Sequence, residues 1–470
     1  MLKRVLSSIQ SYFRTASDSA QQAEQGDVSR DEALVEENEI QVAQPMSLKK
    51  NISWTFLGNS VFGACQWLML VVLARLGTPE MVGQFALGLA VTAPIMLLTG
   101  MRLRTLQATD FRREFQFSEY LGVRVVGVVA ACVMIVFCSF QASASSQTIL
   151  VILALGLARI VESISDVFYG LFQQHERMDR LAISLLLRGT LSLVALGATV
   201  YWTGDVVWGA LAVAAVWGAV CLFYDLPTGA GLLSQSVLQM IVPRWNLQSI
   251  RKIVVQALPV GLAAALVSLQ TNLPRYALEK YVGTRELGIF GAIAGLMMAS
   301  MLLIRAVNHS SIPRLARYYA EKKFQAFRKL LLKLTGVFAV WGVLGLLVVS
   351  LAGRQILLLT YGEEYAQYHG LFQWMMVAYA IRFLRMPVAA AVRAMRKFWW
   401  QFAVHVGVIL IALPACFILI PQLGILGAVY AVIISMLAET VAYALLACYA
   451  LWHHSREVGL QEGRDGMQPA

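Results

Sequence analysis

The sequence predicts an all-α polytopic membrane protein, with about twelve transmembrane helices in two six-helix lobes around a central cavity. Three observations carry this. The 470-residue chain is 58% hydrophobic and only 14% charged, with mean hydropathy +0.65, whereas a soluble domain carries roughly a quarter charged residues. Lys and Arg fall in alternate connections between apolar stretches. A short phrase also recurs, LGTPEMVGQF at 76–85 and VGTRELGIF at 282–290. With one residue gapped, both read apolar-Gly-Thr-x-Glu-apolar-Gly-x-Phe. An echo roughly two hundred residues apart indicates a duplicated bundle.

In chain order, residues 1–45 come first. MLKRVLSSIQSYF suits a short basic amphipathic helix, and 18–39 is polar and acidic. No apolar core is long enough for a signal peptide, so a disordered cytoplasmic tail without assigned function is expected. Met46, followed by SLKKN, could be an alternative start. Apolar windows of about twenty residues then fall near 53–74, 80–101, 119–140, 147–171, 181–202, 206–226, 254–276, 286–308, 331–351, 369–391, 398–420 and 425–450. The expected units are a first lobe at 46–226, a cytoplasmic linker at 227–252, a second lobe at 253–450 and a cytoplasmic tail at 451–470.

Alternate connections hold Arg102, Arg104, Arg112 and Arg113; Arg177 and Arg180; Arg244, Arg251 and Lys252; a basic run from Arg314 to Lys329; and Arg393, Arg396 and Lys397. The others hold only Arg75, Lys280, Arg285 and Arg354. By the positive-inside rule the first set is cytoplasmic, and so are both termini. An even number of spans per half gives both lobes one orientation, and the repeated phrase falls at the outer turn of each lobe's first hairpin. There it reads as a structural corner, with Glu80 and Glu286 where a helix begins. The net charge of +11 is absorbed by topology, and no basic-aromatic module points to nucleic acid.

The six cysteines all lie in apolar stretches without metal-type spacing, so they read as small buried hydrophobes. No nucleophile elbow, phosphate-cradling loop or paired-carboxylate loop is present, and the outer connections are short. The chain therefore reads as a non-enzyme, and no cofactor is implied.

Ionisable residues inside the bilayer cost at least ~2.5–3.5 kcal/mol on insertion scales, so each needs a cavity or a partner. Arg159, Glu162 and Asp166 share one helical face by spacings of three, four and seven. They suit either a salt-bridge ladder or a wet face where a cation meets substrate and carboxylates couple ions. Arg188, Arg305 with His309, Arg382 with Arg385, His405 and Glu439 are the other charges within spans. Arg385 and His309 suit snorkelling near span ends, and His405 suits a helix contact. Arg159, Arg188, Arg305 and Arg382 are the expected substrate contacts, with Arg275 near the outer end of span seven. Glu162, Asp166 and Glu439 are the expected coupling groups. A cation-lined cavity open to the cytoplasm suits a polar, anionic cargo, since the guanidinium fork pairs with phosphate or pyrophosphate. Pro259 and Pro274 predict a broken or kinked span seven acting as hinge or gate. Arg102–Tyr120 and Pro313–Lys333 mix basic and aromatic residues; they suit topology anchors or attraction of anionic lipid headgroups.

These stretches resemble a known family. ALPVGLAAALVSLQTNLPRYALEKYVGTRELGIF (257–290) is the most specific, supported by IPRLARYYAEKKFQAF (312–327), LLLTYGEEYAQYHGLF (357–372) and VVLARLGTPEMVGQFALGLAVTAPI (71–95). Residues 46–450 resemble the polysaccharide repeat-unit flippases, the Wzx-like (O-antigen) branch of the multidrug/oligosaccharidyl-lipid/polysaccharide exporter superfamily. The resemblance implies two six-helix lobes with alternating access in the bacterial inner membrane. It implies export of undecaprenyl-pyrophosphate-linked oligosaccharide for surface polysaccharide biosynthesis, with proton or sodium coupling. Membrane lipids, a polysaccharide polymerase and a chain-length regulator are the implied partners. Alternatives are a lipid II flippase, a drug or cation antiporter of the same superfamily, and a membrane glycan polymerase or ligase. The acidic N-terminal extension departs from the family core.

Overall fold

The computed structural model describes residues 46–465 apart from 111, 143, 144, 235, 396 and 397. Side chains at 299, 300, 302, 303, 305–307, 309, 310, 398, 399 and 450–465 are also outside the description. The expected tail at 1–45 lies outside the described residues.

Every described element is helical. The first half comprises α1 (Leu48–Leu76), α2 (Pro79–Gly100), the short α3 (Leu103–Thr109), α4 (Phe117–Ala142), α5 (Ser146–Gln174), α6 (Met178–Thr203) and α7 (Val206–Val220). A π-helical turn at Cys221–Asp225 then leads into α8 (Leu226–Leu233) and the short α9 (Val237–Met240). The second half comprises α10 (Leu247–Tyr281), α11 (Thr284–Ala320), α12 (Phe324–Thr360), the short α13 (Glu363–Ala366), α14 (His369–Ala394), α15 (Phe398–Leu423) and α16 (Ile425–Asp465). Among the described residues eleven helical stretches are long and apolar enough to cross a membrane, and α11 is 37 residues long. The predicted windows all fall on these helices. Helix is the outcome because hydrocarbon offers no partner for peptide N–H and C=O groups. Helix also occupies much of 227–252, where a linker was expected.

Local chemistry sets the ends. Asp205 accepts from the Val207 N–H at 2.9 Å and from Gln147 Nε2 at 3.2 Å. Asn246 accepts from the Gln248 N–H at 3.1 Å. Gly283, at φ +126, makes the corner into α11 in a conformation that disfavours a side chain. Span seven does not break: α10 runs unbroken through Pro259 and Pro274. The irregularity lies at the π turn, where Pro227 follows and the Leu226 N–H reaches back to the Cys221 carbonyl.

In the first lobe α1 packs on α6, and α5 on α2, α4 and α7; in the second α14 packs on α12 and α16, and α15 on α10 and α16. The lobes meet through α2, α10 and α11. We call the end holding the two repeated phrases the repeat end, and the opposite one the basic end.

At the repeat end the two copies of the phrase pack on each other. A Cβ added at Gly83 would lie 1.9 Å from the Thr284 carbonyl oxygen, and one at Gly288 would lie 1.8 Å from that of Pro79. Gly83 and Gly288 are equivalent positions in the phrase, so the contact is reciprocal, like a two-fold interface within one chain. Around it Arg75 donates to the Thr360 and Leu358 carbonyls at 3.0 and 2.7 Å, and Trp67 to Tyr361 Oη at 2.9 Å. Arg285 pairs with Glu80 at 3.4 Å and with Glu364. The duplicated corner is thus also the surface that closes one end of the bundle. At the basic end α10 packs against α2 and α4: Ile253 and Ala257 join Met101, Tyr120 and Val123 in one apolar cluster.

Candidate functional site

The charges inside the bundle form one set in each lobe. In the first, α5 carries Arg159, whose Nη1 donates to Glu162 Oε2 at 2.6 Å. One turn further, Asp166 lies 3.0 Å from Arg124 Nη2 and 3.7 Å from Arg104 Nη1. These side chains of α5 keep a quarter to a third of their surface exposed (24% for Arg159, 31% for Glu162, 30% for Asp166), so the face is partly open as well as paired.

Arg188 departs from its expected place on a cavity wall. Both it and Asp225 are 0% exposed, and they stand 4.0 Å apart. Arg188 Nη2 donates to Ser165 Oγ at 2.6 Å, and its guanidinium lies 5.3 Å from the Trp217 ring and 5.5 Å from the Tyr169 ring. Helix α6 packs against α7, and the π turn carries Asp225 to Arg188. The group is an internal brace. A lone Asp near the end of a predicted span gave no signal that it would face an arginine of the preceding one.

In the second lobe a cavity of about 360 Å³ lies among α10, α14, α15 and α16. Arg275, Arg382, Arg385, Arg393, His405 and Glu439 line it. Arg385 is ion-paired with Glu439 and retains 15% exposure. It is therefore held inside the protein, against the expectation that it snorkels. His405 Nδ1 is 3.7 Å from the same carboxylate and 3.1 Å from Gln270 Oε1, while Tyr443 Oη lies 3.4 Å from Nε2. The Arg275 Nη1 donates to Asn272 Oδ1 at 2.7 Å. Arg382 lies 5.7 Å from the Tyr379 ring, and its Nε has no hydrogen-bond partner among the described residues. Among the described residues, four guanidinium groups thus share this cavity with one carboxylate.

The structure therefore unites Arg275, Arg382 and Glu439 from the expected set and keeps Arg159, Glu162 and Asp166 on the other lobe. Arg305 lies on α11, and its side chain and that of His309 are outside the described residues. Arg393 was read as a connection residue, yet it belongs to the last turn of α14. Its spacing from Arg382, eleven residues or about three turns, was the available signal that both share a face.

A sequence profile of the family described as "Polysaccharide biosynthesis protein" matches residues 48–319. The chain is 25% identical over 398 residues to a capsular polysaccharide biosynthesis protein, CapF, of Staphylococcus aureus, covering 84% of this chain and 98% of that one. Among solved structures it superposes on an inward-facing multidrug resistance MATE family transporter of the MOP superfamily. The TM-score is 0.67 at 14% identity, over 86% of this chain and 96% of that one. An outward-facing conformation gives 0.57 at 14% identity, over 86% and 95%. A MOP superfamily transporter from Pyrococcus furiosus, described as having reversed binding-pocket polarity, gives 0.59 at 16% identity, over 85% and 94%. Since the profile spans more than half of the chain, the protein belongs to the polysaccharide biosynthesis protein family, with a fold like that of the MATE transporters.

Proposed function

We propose that the protein is an alternating-access transporter that moves undecaprenyl-pyrophosphate-linked oligosaccharide from the cytoplasmic to the periplasmic leaflet of the bacterial inner membrane. The observation that carries this reading is the excess of guanidinium over carboxylate in the second-lobe cavity. Such a cavity offers charge-assisted, forked hydrogen bonds to a diphosphate and offsets its loss of water. The family profile and the capsular polysaccharide relative support a glycan cargo. The Lys/Arg distribution supports placing the basic end in the cytoplasm. The contacts at the repeat end fit a bundle closed toward the periplasm and loaded from inside.

In this reading the isoprenoid chain stays in lipid while diphosphate and sugars enter between the lobes. Arg382, Arg393 and Arg275 receive the diphosphate. Arg385 joins them when Glu439 is protonated, so the carboxylate that holds Arg385 also couples proton uptake to cargo exchange.

A second reading is a drug or cation antiporter, because the multidrug transporters share this fold and Glu439 is a carboxylate within the cavity. Transport in proteoliposomes separates the two. An undecaprenyl-pyrophosphate-linked sugar should cross in wild type and fail to cross in Arg382→Gln/Arg393→Gln, while ethidium efflux stays at background. Ethidium efflux lost in Glu439→Gln, with no lipid-linked sugar crossing, would establish the antiporter instead.

A further inference from the structure

Outside the second-lobe cavity, the first lobe holds a separate pocket of about 550 Å³ at its basic end. Arg102, Arg104, Arg124, Asp166, Thr105 and Gln173 contribute to its wall. We propose that this pocket is a phosphate-binding site, distinct from the arginine cavity of the second lobe, that takes a phosphate or diphosphate group at the basic end of the bundle.

Four observations converge on it. First, three guanidinium groups face a single carboxylate, so the pocket keeps a net positive charge after Asp166 is paired. Second, those groups are built in at different depths. Arg124 is 3% exposed, fixed by Ser163 Oγ at 3.1 Å and Asp166 at 3.0 Å, and its Nε has no hydrogen-bond partner among the described residues. Arg104 is 33% exposed, held by Gln173 Oε1 at 3.3 Å and lying 5.5 Å from the Tyr169 ring. Arg102 is exposed and has no side-chain hydrogen bond or ion pair among the described residues.

Third, the backbone is bent to present them. Met101 and Arg102 are both left-handed, at φ 47 and 54, although neither is glycine. This backbone region disfavours any residue with a side chain, so the corner persists only because packing determines it. Leu103 and Gln107 of α3, both 1% exposed, provide that packing against the first lobe. A relaxed turn at 101–102 would carry Arg102 and Arg104 off the pocket wall.

Fourth, room is kept for the guanidinium. A Cβ on Gly100 would lie 2.9 Å from Arg124 Nη1. The chemistry of forked donors around an open volume suits a tetrahedral oxyanion. Two sources carry that group here, the headgroup of an anionic membrane lipid and the diphosphate of a lipid-linked cargo. The site is independent of the cargo reading, because a phospholipid headgroup satisfies it equally.

The test is hydrogen–deuterium exchange on the full chain, followed at the amides of 102–109. One arm adds inorganic pyrophosphate to detergent-purified protein. The other compares nanodiscs of phosphatidylglycerol with nanodiscs of phosphatidylcholine alone. Slowed exchange at 102–109 with pyrophosphate supports a diphosphate ligand, and slowing with phosphatidylglycerol only supports a lipid headgroup. Either protection should require about tenfold more ligand in Arg102→Gln/Arg104→Gln, with an unchanged melting temperature showing that the fold is kept. It should persist in Arg382→Gln/Arg393→Gln, which disables the second-lobe cavity and thereby separates this proposal from the transport reading. No protection in either arm, or protection untouched by Arg102→Gln/Arg104→Gln, would overturn it.

Discussion

In the first lobe each arginine deep in the bundle reaches a carboxylate: Arg159 meets Glu162, Arg124 meets Asp166, and Arg188 meets Asp225. In the second lobe only Arg385 does so, through Glu439; Arg275, Arg382 and Arg393 have no carboxylate at ion-pair distance among the described residues. Removing an ion from water costs several kcal/mol unless a partner returns it. The first lobe supplies that partner from its own sequence. The second supplies a cavity in its place, which water or an anion must fill. Where guanidinium and carboxylate match one for one the charge reads as scaffold, and where guanidinium is in excess it reads as a place for an anion.

The largest expected effect comes from breaking a pair where no water enters. Arg188→Ala leaves Asp225 buried without a counter-charge, and should lower stability by about 3–5 kcal/mol, read as lost monodisperse protein and a lower melting temperature. Arg188→Met together with Asp225→Leu should recover most of that loss. If Arg188→Ala alone were as stable as wild type, the pair would not be the brace described here.

Next comes the contact between the duplicated corners. Gly83→Ala or Gly288→Ala forces a methyl group onto a backbone carbonyl that no rotamer change can move. Overpacking of this kind typically costs about 1–3 kcal/mol, and here it should fall on the closed repeat end rather than on the fold. Spin labels at 80 and 286 should show a longer, broader distance distribution in either variant, with an unchanged melting temperature. A distribution identical to wild type would contradict the closure.

Smaller still is the stability effect of the second-lobe arginines. Arg382→Gln should change thermal stability by no more than about 0.5 kcal/mol, since no carboxylate is stranded, while transport is lost. A large destabilisation would place Arg382 with the braces.

The smallest effect is expected at Glu321, in the fully exposed turn between α11 and α12. Lys323 Nζ at 2.8 Å holds its carboxyl below the usual carboxylate range. A depressed carboxyl favours the folded state at neutral pH and loses that contribution as pH falls through its lowered pKa. Full exposure screens it, so melting curves of Glu321→Gln and wild type should coincide from neutral to mildly acidic pH.

The comparison also separates what was legible in the sequence from what was not. The twelve spans were legible, because apolar run length and charge alternation are one-dimensional properties. The repeated phrase disclosed the duplication, but that its two glycines press on each other depends on how the lobes meet. The Arg159–Glu162–Asp166 face was legible because it lies along one helix. Arg188 and Asp225 were not, since their pairing depends on packing between α6 and the π turn. Arg385 misled for a related reason: distance from a helix end indicates snorkelling, whereas its fate depended on Glu439 from another helix. The prolines of α10 do not interrupt it, because removing one peptide donor does not end a helix held by its neighbours in lipid.

The central claim is that the second lobe's unpaired arginines receive the cargo while the first lobe's paired ones hold the scaffold. The most direct measurement is translocation of an undecaprenyl-pyrophosphate-linked sugar in proteoliposomes, comparing Arg382→Gln/Arg393→Gln with Arg159→Gln/Glu162→Gln, each reconstituted to the same protein level. The account predicts that the first double variant abolishes translocation and the second, which removes a charge pair together, retains at least about a tenth of it. Loss in the second with retention in the first would contradict it.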